Sequence, residues 1–500
     1  MRRENAFSPA PVVGDMLENL LISDLSVKGE GIARSSGRVV FLDKGLPGEI
    51  VRARITGVKK NLLHARIESV LKPSPNAVPA LCPHVRDCGG CVLQHYSYQA
   101  LLEWKRDYVR QCLSRIGKLE LGDISPVEPS ARKLAWRAKV SYAFTPVENR
   151  GILLGLRGRD GRELIETTHC VAQEVPVMQL LDYVRREVNR LGIPAWGKPA
   201  CNAAGKSALS GGGDPGYLRR LVAHSPEYMP DGRRQLLIEI ISGSDHLARD
   251  KAGQAGAPNA AGDSAYRRLT RLERLRMLGE RLMDRFALTG FVHTERRALS
   301  DIAYGEKKVQ GFGSDAYLES FGHVTAKASY NVFMQTNTKV ALRLFELVAE
   351  QAKARSTDIV WDLFSGVGCI AMFLARSVAT VHGVEVSPEA VACARENAGA
   401  MGLSNCFFHV CDLNFPGAMR DLPAPDIVVA DPPRFGLPDA LIELLLAVPA
   451  RRLLYVSCNP ASQARDALRL KGRWRALKSL PLDMFPYSPH VENLLVFEKR

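Results

Sequence analysis

The stretch "WDLFSGVGCIAMFLA", residues 361–375, decides how the C-terminal part of this chain folds. An apolar run ends at Asp362, a turn containing Gly366 and Gly368 follows, and an apolar helical pattern begins. Glycines at such a turn let a ligand approach the backbone at the carboxyl end of the first strand of an open sheet. The surrounding sequence repeats the same arrangement. "TDIVWDLFS", "TVHGVEVS", "CFFHVCDL", "PDIVVADPP" and "RRLLYVSCN" are short apolar runs separated by helical patterns. Strands alternating with helices specify a parallel sheet covered on both faces. Residues 326–500 are therefore expected to form an α/β domain of Rossmann-like type.

The ends of those strands carry the chemistry. In "HGVEVS" Glu385 closes the second strand, where an acid is placed to take the two hydroxyls of a ribose. The G-x-G-x-x-G spacing of a pyrophosphate site is missing, which favours S-adenosylmethionine over a nicotinamide dinucleotide. "ADPPRFG" (430–436) sets Asp431 on a proline-stiffened loop at the same crevice. "YVSCNP" (455–460) sets Cys458 at the end of the next strand, a candidate nucleophile. "DMFPYSPHVENLLVFEKR" (483–500) then brings Glu492 back to that edge just before a last apolar strand. A lone cysteine is more often a buried apolar residue. A thiol and a carboxylate converging beside a methyl donor point instead to catalysis.

Upstream, the chain is basic: 67 Lys and Arg against 53 Asp and Glu give a formal charge of +14, which suits a polyanionic partner such as RNA. The N-terminus lacks the apolar core of a secretory signal, and no apolar run approaches the ~20 residues of a membrane span. A cytoplasmic location is expected, where 11 cysteines are not a disulfide framework. Residues 1–15 read as a tail. Residues 16–72 alternate short apolar stretches with Gly-rich turns, as in a small β-barrel, and Arg52, Arg54, Lys59, Lys60 and Arg66 make it basic. Residues 73–325 read as a mixed α+β central domain. Its helix 97–116 is a candidate to pack against the C-terminal domain, and its Gly/Ala-rich stretch 242–268 reads as a flexible insertion. "LCPHVRDCGGCVLQH" (81–95) places Cys82, Cys88 and Cys91 at metal-ligand spacing, with a fourth ligand to come from elsewhere and zinc and iron–sulfur both open. Cys112 lies on an apolar helical stripe and reads as core; Cys201 has no supporting pattern.

"SYNVFMQTN", "DLFSGVG", "GVE", "DPPRFG", "YVSCNP" and "DMFPYSPHVE", in this order, closely resemble the RNA uracil-C5 methyltransferases that form 5-methyluridine. The barrel resembles a TRAM domain. The segment C-x5-C-G-G-C-x2-Q-H resembles three ligands of the [4Fe–4S] site in the branch acting on 23S ribosomal RNA. The resemblance implies a monomeric RNA-binding enzyme in which Cys458 adds to C6 of the target uracil, C5 accepts a methyl group, and Glu492 removes the C5 proton. It assigns Gln335, Phe364, Glu385, Asp412 and Asp431 to cofactor contacts, with Gly366 and Gly368 shaping the loop. It places a cluster on Cys82, Cys88, Cys91 and Cys170. Departures are Ser365 where the family commonly has Cys, Cys369 where some members have Asn, and "FMQTN" for a more usual "FFQVN". Three other readings compete: a tRNA-modifying relative, a radical methylthiotransferase, and a non-catalytic RNA-binding assembly factor. The cysteine spacing and barrel position oppose the second, and the intact Cys458/Glu492 pair opposes the third.

Overall fold

The computed structural model describes residues 11–122, 124–147, 149–159, 161, 163–197, 216–227, 235–243, 266, 268–298 and 303–500. Most of the expected 242–268 insertion, Cys201 and the first ten residues lie outside them.

The N-terminal strands are β1 (Met16–Leu21), β2 (Asp24–Leu25), β3 (Gly31–Ser35), β4 (Arg38–Leu42), β5 (Ile50–Lys59) and β6 (Leu62–Lys72). They form one sheet in the order β1-β5-β6-β4-β3-β2. Alternation along β5 buries Val51, Ala53 and Ile55 and leaves Arg52 and Arg54 outside. The basic surface is partly neutralised: Arg52 pairs with Glu18, and Arg54 and Arg66 share Glu68. Such exposed pairs contribute ~0–1 kcal/mol each to stability, so their main effect is on local charge. Lys59 and Lys60 stand exposed at the β5–β6 turn.

Helix α1 (Tyr98–Gln111) starts at Ser97, whose hydroxyl caps Ala100, and runs into a π-helical turn at Cys112–Ile116. Its first half packs Ala100, Leu101 and Trp104 against Leu25 and Leu46 of the barrel and Val92 and Leu93 of the cysteine segment. Its second half packs Val109, Cys112 and Leu113 into the C-terminal domain. Burying each such Leu or Val is worth about 1.5–3 kcal/mol. Ile116, at the end of the π turn, is exposed.

The central sheet contains β7 (Lys139–Val147), β8 (Gly151–Arg157), β9 (Leu164–Glu166), β10 (Leu218–His224), β11 (Leu237–Gly243), β12 (Gly290–Arg296) and β13 (Lys307–Gly313). Its order is β13-β12-β11-β10-β7-β8-β9. Helices α2 (Val175–Arg190) and α3 (Arg271–Phe286) cover one face, α3 beginning with a Thr270/Glu273 capping box. A hairpin, β14 (Ala316–Phe321) and β15 (Val324–Ser329), leads to α4 (Thr338–Ala352).

The C-terminal sheet comprises β16 (Ile359–Leu363), β17 (Thr380–Glu385), β18 (Cys406–Val410), β19 (Ile427–Ala430), β20 (Arg452–Ser457), β21 (Trp474–Leu482) and β22 (Glu492–Lys499). The order β18-β17-β16-β19-β20-β22-β21 reverses direction between β16 and β19, where open sheets of this kind form a crevice. β16 to β20 run parallel, and β22 inserts antiparallel beside β20. Two apolar clusters fill its two faces, with α5 (Cys369–Ala375) and α6 (Pro388–Ala400) on one and α7 (Asp439–Ala447) and α8 (Pro460–Leu470) on the other.

Candidate active site

The carboxyl ends of β16, β17, β19 and β20 open into a cavity of about 1160 Å³. Of the residues singled out from the sequence, Gln335, Phe364, Gly366, Glu385, Asp412, Asp431, Cys458 and Glu492 all line it. Gly368 does not. Its φ is +83°, and a Cβ there would meet the Phe408 ring at 2.6 Å, so packing rather than a ligand demands that glycine. Gly366 has open space around its Cα and a φ of +54°. Phe364, a non-glycine residue in the left-handed region at φ +62°, turns the chain into the cavity.

Glu385 is fixed by its surroundings. One carboxylate oxygen accepts the amides of Val386 (2.8 Å) and Ser387 (2.9 Å), and the other accepts that of Gly366 (3.1 Å). A carboxylate has about four acceptor positions, so capacity remains for a ligand hydroxyl. Asp412 is exposed at the rim and accepts the amide of Asn414 at 2.9 Å. Asp362, not singled out from the sequence, lies fully buried in the cavity floor and accepts the Ala371 amide at 3.0 Å. Burial pushes it up to about 8, aided by Asp431 and Glu385. The two departures meet here: the Ser365 hydroxyl is buried with no hydrogen-bond partner among the described residues, and Cys369 is buried beside Asp362.

At the other end of the cavity β20 and β22 are paired so that Ser457 faces Asn493, which puts Cys458 and Glu492 side by side at the strand ends. Burial pushes the Cys458 thiol up to about 11; Glu492 adds to this, and the Arg434 guanidinium opposes it through charge and a hydrogen bond. Glu492 is 3 % exposed. Burial, then the charge of Asp431, hold its carboxyl well above the ordinary range, against the pull of Arg434. Burial also pushes Asp431 up to about 7.

Arg434 was missed from the sequence, although it lies within "DPPRFG". Its guanidinium donates to His490 Nδ1 at 2.7 Å, so the imidazole is a neutral acceptor. Burial, with Arg434 and Lys105 nearby, pushes that imidazole down to about 4. The Arg434 carbonyl accepts from Asn459 Nδ2 (2.9 Å) and Ser462 Oγ (3.1 Å), which ties this loop to the Cys458 turn.

The cysteine segment forms another part of the wall, with Gly89, Gly90 and Cys91 lining the cavity beside Arg137. Cys88 bridges to Gly158 after β8, and the Gly89 amide donates to the Arg157 carbonyl at 3.0 Å. The chain brings Cys82, Cys88, Cys91 and Cys170 within electrostatic reach of one another and of Arg137, and burial raises Cys88, Cys170 and, to about 12, Cys91. Among the described residues, however, no group of three or more His, Cys, Asp or Glu side chains is placed to hold a metal ion. The expected iron–sulfur centre therefore has no geometric support. Nor, among the described residues, is any helix long and apolar enough to cross a membrane.

Comparison with known proteins agrees with this layout. Residues 322–500 match the tRNA (uracil-5-)-methyltransferase family model, and residues 18–67 match the TRAM domain. An uncharacterized RNA methyltransferase of Nitratidesulfovibrio vulgaris is 32% identical over 494 residues, 97% of this chain and 96% of that protein. One from Halalkalibacterium halodurans is 28% identical, covering 98% of both. A tRNA (uracil-54, C5)-methyltransferase of Pyrococcus abyssi, solved with S-adenosyl-L-homocysteine, shares the fold with a TM-score of 0.68 at 22% identity, over 95% of this chain and 99% of that one. A TRAM barrel joined to a uracil-5 methyltransferase domain, together with a relative similar along nearly its full length, assigns the activity. The chain belongs to the RNA uracil-C5 methyltransferase family and is an S-adenosylmethionine-dependent RNA (uracil-5-)-methyltransferase.

Proposed function

We propose that this enzyme methylates C5 of a uridine in 23S ribosomal RNA through a covalent adduct between Cys458 and C6. The observation that carries the reading is the meeting of Cys458, Glu492, Asp431 and Arg434 at one end of the cavity. S-adenosylmethionine, bound toward Glu385 and Gly366, supplies an electrophilic methyl group. Cys458, as thiolate, adds its sulfur to C6, and the electrons of the C5–C6 double bond move onto C5 and the O4 carbonyl. C5 takes the methyl group as the methyl–sulfur bond breaks, its electrons staying on sulfur to leave S-adenosylhomocysteine. The Glu492 carboxylate removes the C5 proton, the double bond re-forms, and the Cys458 thiolate leaves. A carboxylate whose pKa is raised is a stronger base once ionised, which suits Glu492 to that step. Arg434, hydrogen-bonded to Cys458, favours the thiolate. The reacting uridine must leave its stack, at a cost of a few kcal/mol that is lowest in an unpaired loop.

The ribosomal target is favoured by the likeness of the barrel and the cysteine segment to the branch that modifies 23S RNA. A tRNA target is the second reading, favoured by the shared fold with the Pyrococcus abyssi tRNA enzyme. Incubation with methyl-labelled S-adenosylmethionine and separate unmodified 23S and tRNA transcripts decides between them. The expected result is label in 23S RNA, recovered as 5-methyluridine. Label in tRNA alone would replace this target, and label in neither would point to a different RNA.

We also propose that Cys82, Cys88, Cys91 and Cys170 take up a [4Fe–4S] cluster. What supports the reading is the gathering of four thiols in one region, three of them within electrostatic reach of Arg137, and thiolates are the ligand type such a cluster takes; their side chains as placed do not yet form a metal-holding group. The cluster would fasten the segments that carry its ligands. Anaerobic purification is expected to give iron and acid-labile sulfide in equal amounts, with a broad brown absorbance. Stoichiometric zinc in their place would overturn the assignment.

A further inference from the structure

The nine residues between β21 and β22, which include His490 and lead directly into Glu492, are held from outside their own domain. Lys105, on α1, is completely buried, and its ammonium pairs with the equally buried Asp483 carboxylate and donates to the Phe485 carbonyl at 3.2 Å. Tyr98, two turns earlier on the same helical face, donates to the other Asp483 oxygen at 2.5 Å and accepts the Ser130 amide at 2.9 Å. The Asp483 amide donates to the Glu128 carbonyl (2.9 Å), and Asn337 donates to the Met484 carbonyl (3.2 Å). Leu93, two residues after Cys91, donates to the carbonyl of Tyr487, itself in the left-handed region at φ +59°. Phe485, Pro486, Ser488 and His490 are cavity wall.

Covering this part of α1 does not require a charge. A methionine would fill the same space, and buried ion pairs are commonly replaceable by apolar residues without loss of stability. What an ammonium adds is direction, because its donors fix both the Asp483 carboxylate and the Phe485 carbonyl at the base of the loop. We infer that Lys105 is a positioning residue for the elimination step, setting the loop that aims Glu492 at the C5 proton of the adduct. This rests on the covalent-adduct reading above. Cys458 is supplied by a different strand and turn, so adduct formation and methyl transfer should be spared when the loop loosens.

Two variants separate the effects: the neutral pair Lys105→Met/Asp483→Asn, which leaves no unpaired buried charge, and Tyr98→Phe, which removes the hydrogen bonds to Asp483 and Ser130 and keeps the packing. Expected for the pair is a kcat lower by roughly 10- to 100-fold, the scale for misplacing a reacting group by about an ångström. The KM for S-adenosylmethionine should be unchanged, the first-turnover methyl burst near normal, and a methylated protein–RNA adduct should accumulate on denaturing gels. Tyr98→Phe should show the same pattern more weakly. A fall in kcat accompanied by a matching loss of the burst and no adduct would mean a merely structural role and would overturn the proposal, as would unaltered turnover. Glu492→Gln runs in parallel. If it traps an adduct and the Lys105 pair does not, this proposal alone falls; if neither does, the covalent reading falls and takes this one with it.

Discussion

Replacing Cys458 with alanine is expected to abolish methyl transfer, to at least about 10⁴-fold below the unaltered enzyme, while RNA binding stays nearly the same. C5 of uracil is a weak nucleophile until a group has added at C6, and removing the nucleophile of a covalent mechanism typically costs several orders of magnitude. Cys458 sits at a strand end inside the cavity, so a truncated side chain leaves the sheet and the outer basic surface intact. The thiol is held up at about 11 in the free site, so only a small fraction is ionised near neutrality. The single-turnover rate at saturating RNA should therefore climb as pH rises from about 7 toward 9, as more thiolate forms. Filter binding together with transfer of labelled methyl from S-adenosylmethionine checks both halves. Activity near that of the unaltered chain would remove Cys458 from the mechanism.

Glu492→Gln should give the opposite kind of defect: chemistry that begins and cannot finish. The amide is nearly isosteric and cannot accept the C5 proton, so the methylated adduct should persist and migrate as a protein–RNA species on denaturing gels. Steady-state turnover should fall by roughly 10²- to 10⁴-fold, the usual worth of a positioned base. The substitution also removes a buried acid that faces Asp431, so the folded protein should not be destabilised by it. Absence of an adduct, with the protein folded and able to bind S-adenosylmethionine, would count against Glu492 as the base.

The nucleotide-fold half of the molecule was legible because its strands end in residues whose chemistry is visible one at a time. Asp431, Cys458 and Glu492 each follow or open an apolar run, and a parallel sheet brings such ends to one edge. What could not be read depends on partners far apart in the chain. Lys105 in a helical pattern looks like a solvent-facing residue, and only the fold supplies Asp483, 378 positions later. The Arg434–His490 contact spans 56 positions and depends on two loops. Gly368 was recognisable as a turn glycine, but its reason, the Phe408 ring, comes from β18, two strands away in the sheet. The barrel's arginines read as a free cationic surface, whereas strand register sets Glu18 and Glu68 among them. Cys82, Cys88 and Cys91 were legible as a group from their spacing, and Cys170 joined them only through the family resemblance; among the described residues they are not placed to hold a metal ion.

Helix α1 bears on how this chain can be taken apart. One half of it belongs to the core of the barrel and cysteine segment, the other to the core of the methyltransferase sheet. A fragment beginning at the sheet would expose the apolar groove that Val109 and Leu113 fill, and would leave Asp483 without its counter-charge. The workable border for exchanging RNA-binding modules between relatives thus lies upstream, in the linker that precedes the cysteines, and not at the start of the catalytic domain. The barrel and the catalytic domain are spliced by one helix, so a transplanted barrel must also present a surface that fits the same Leu101 and Trp104.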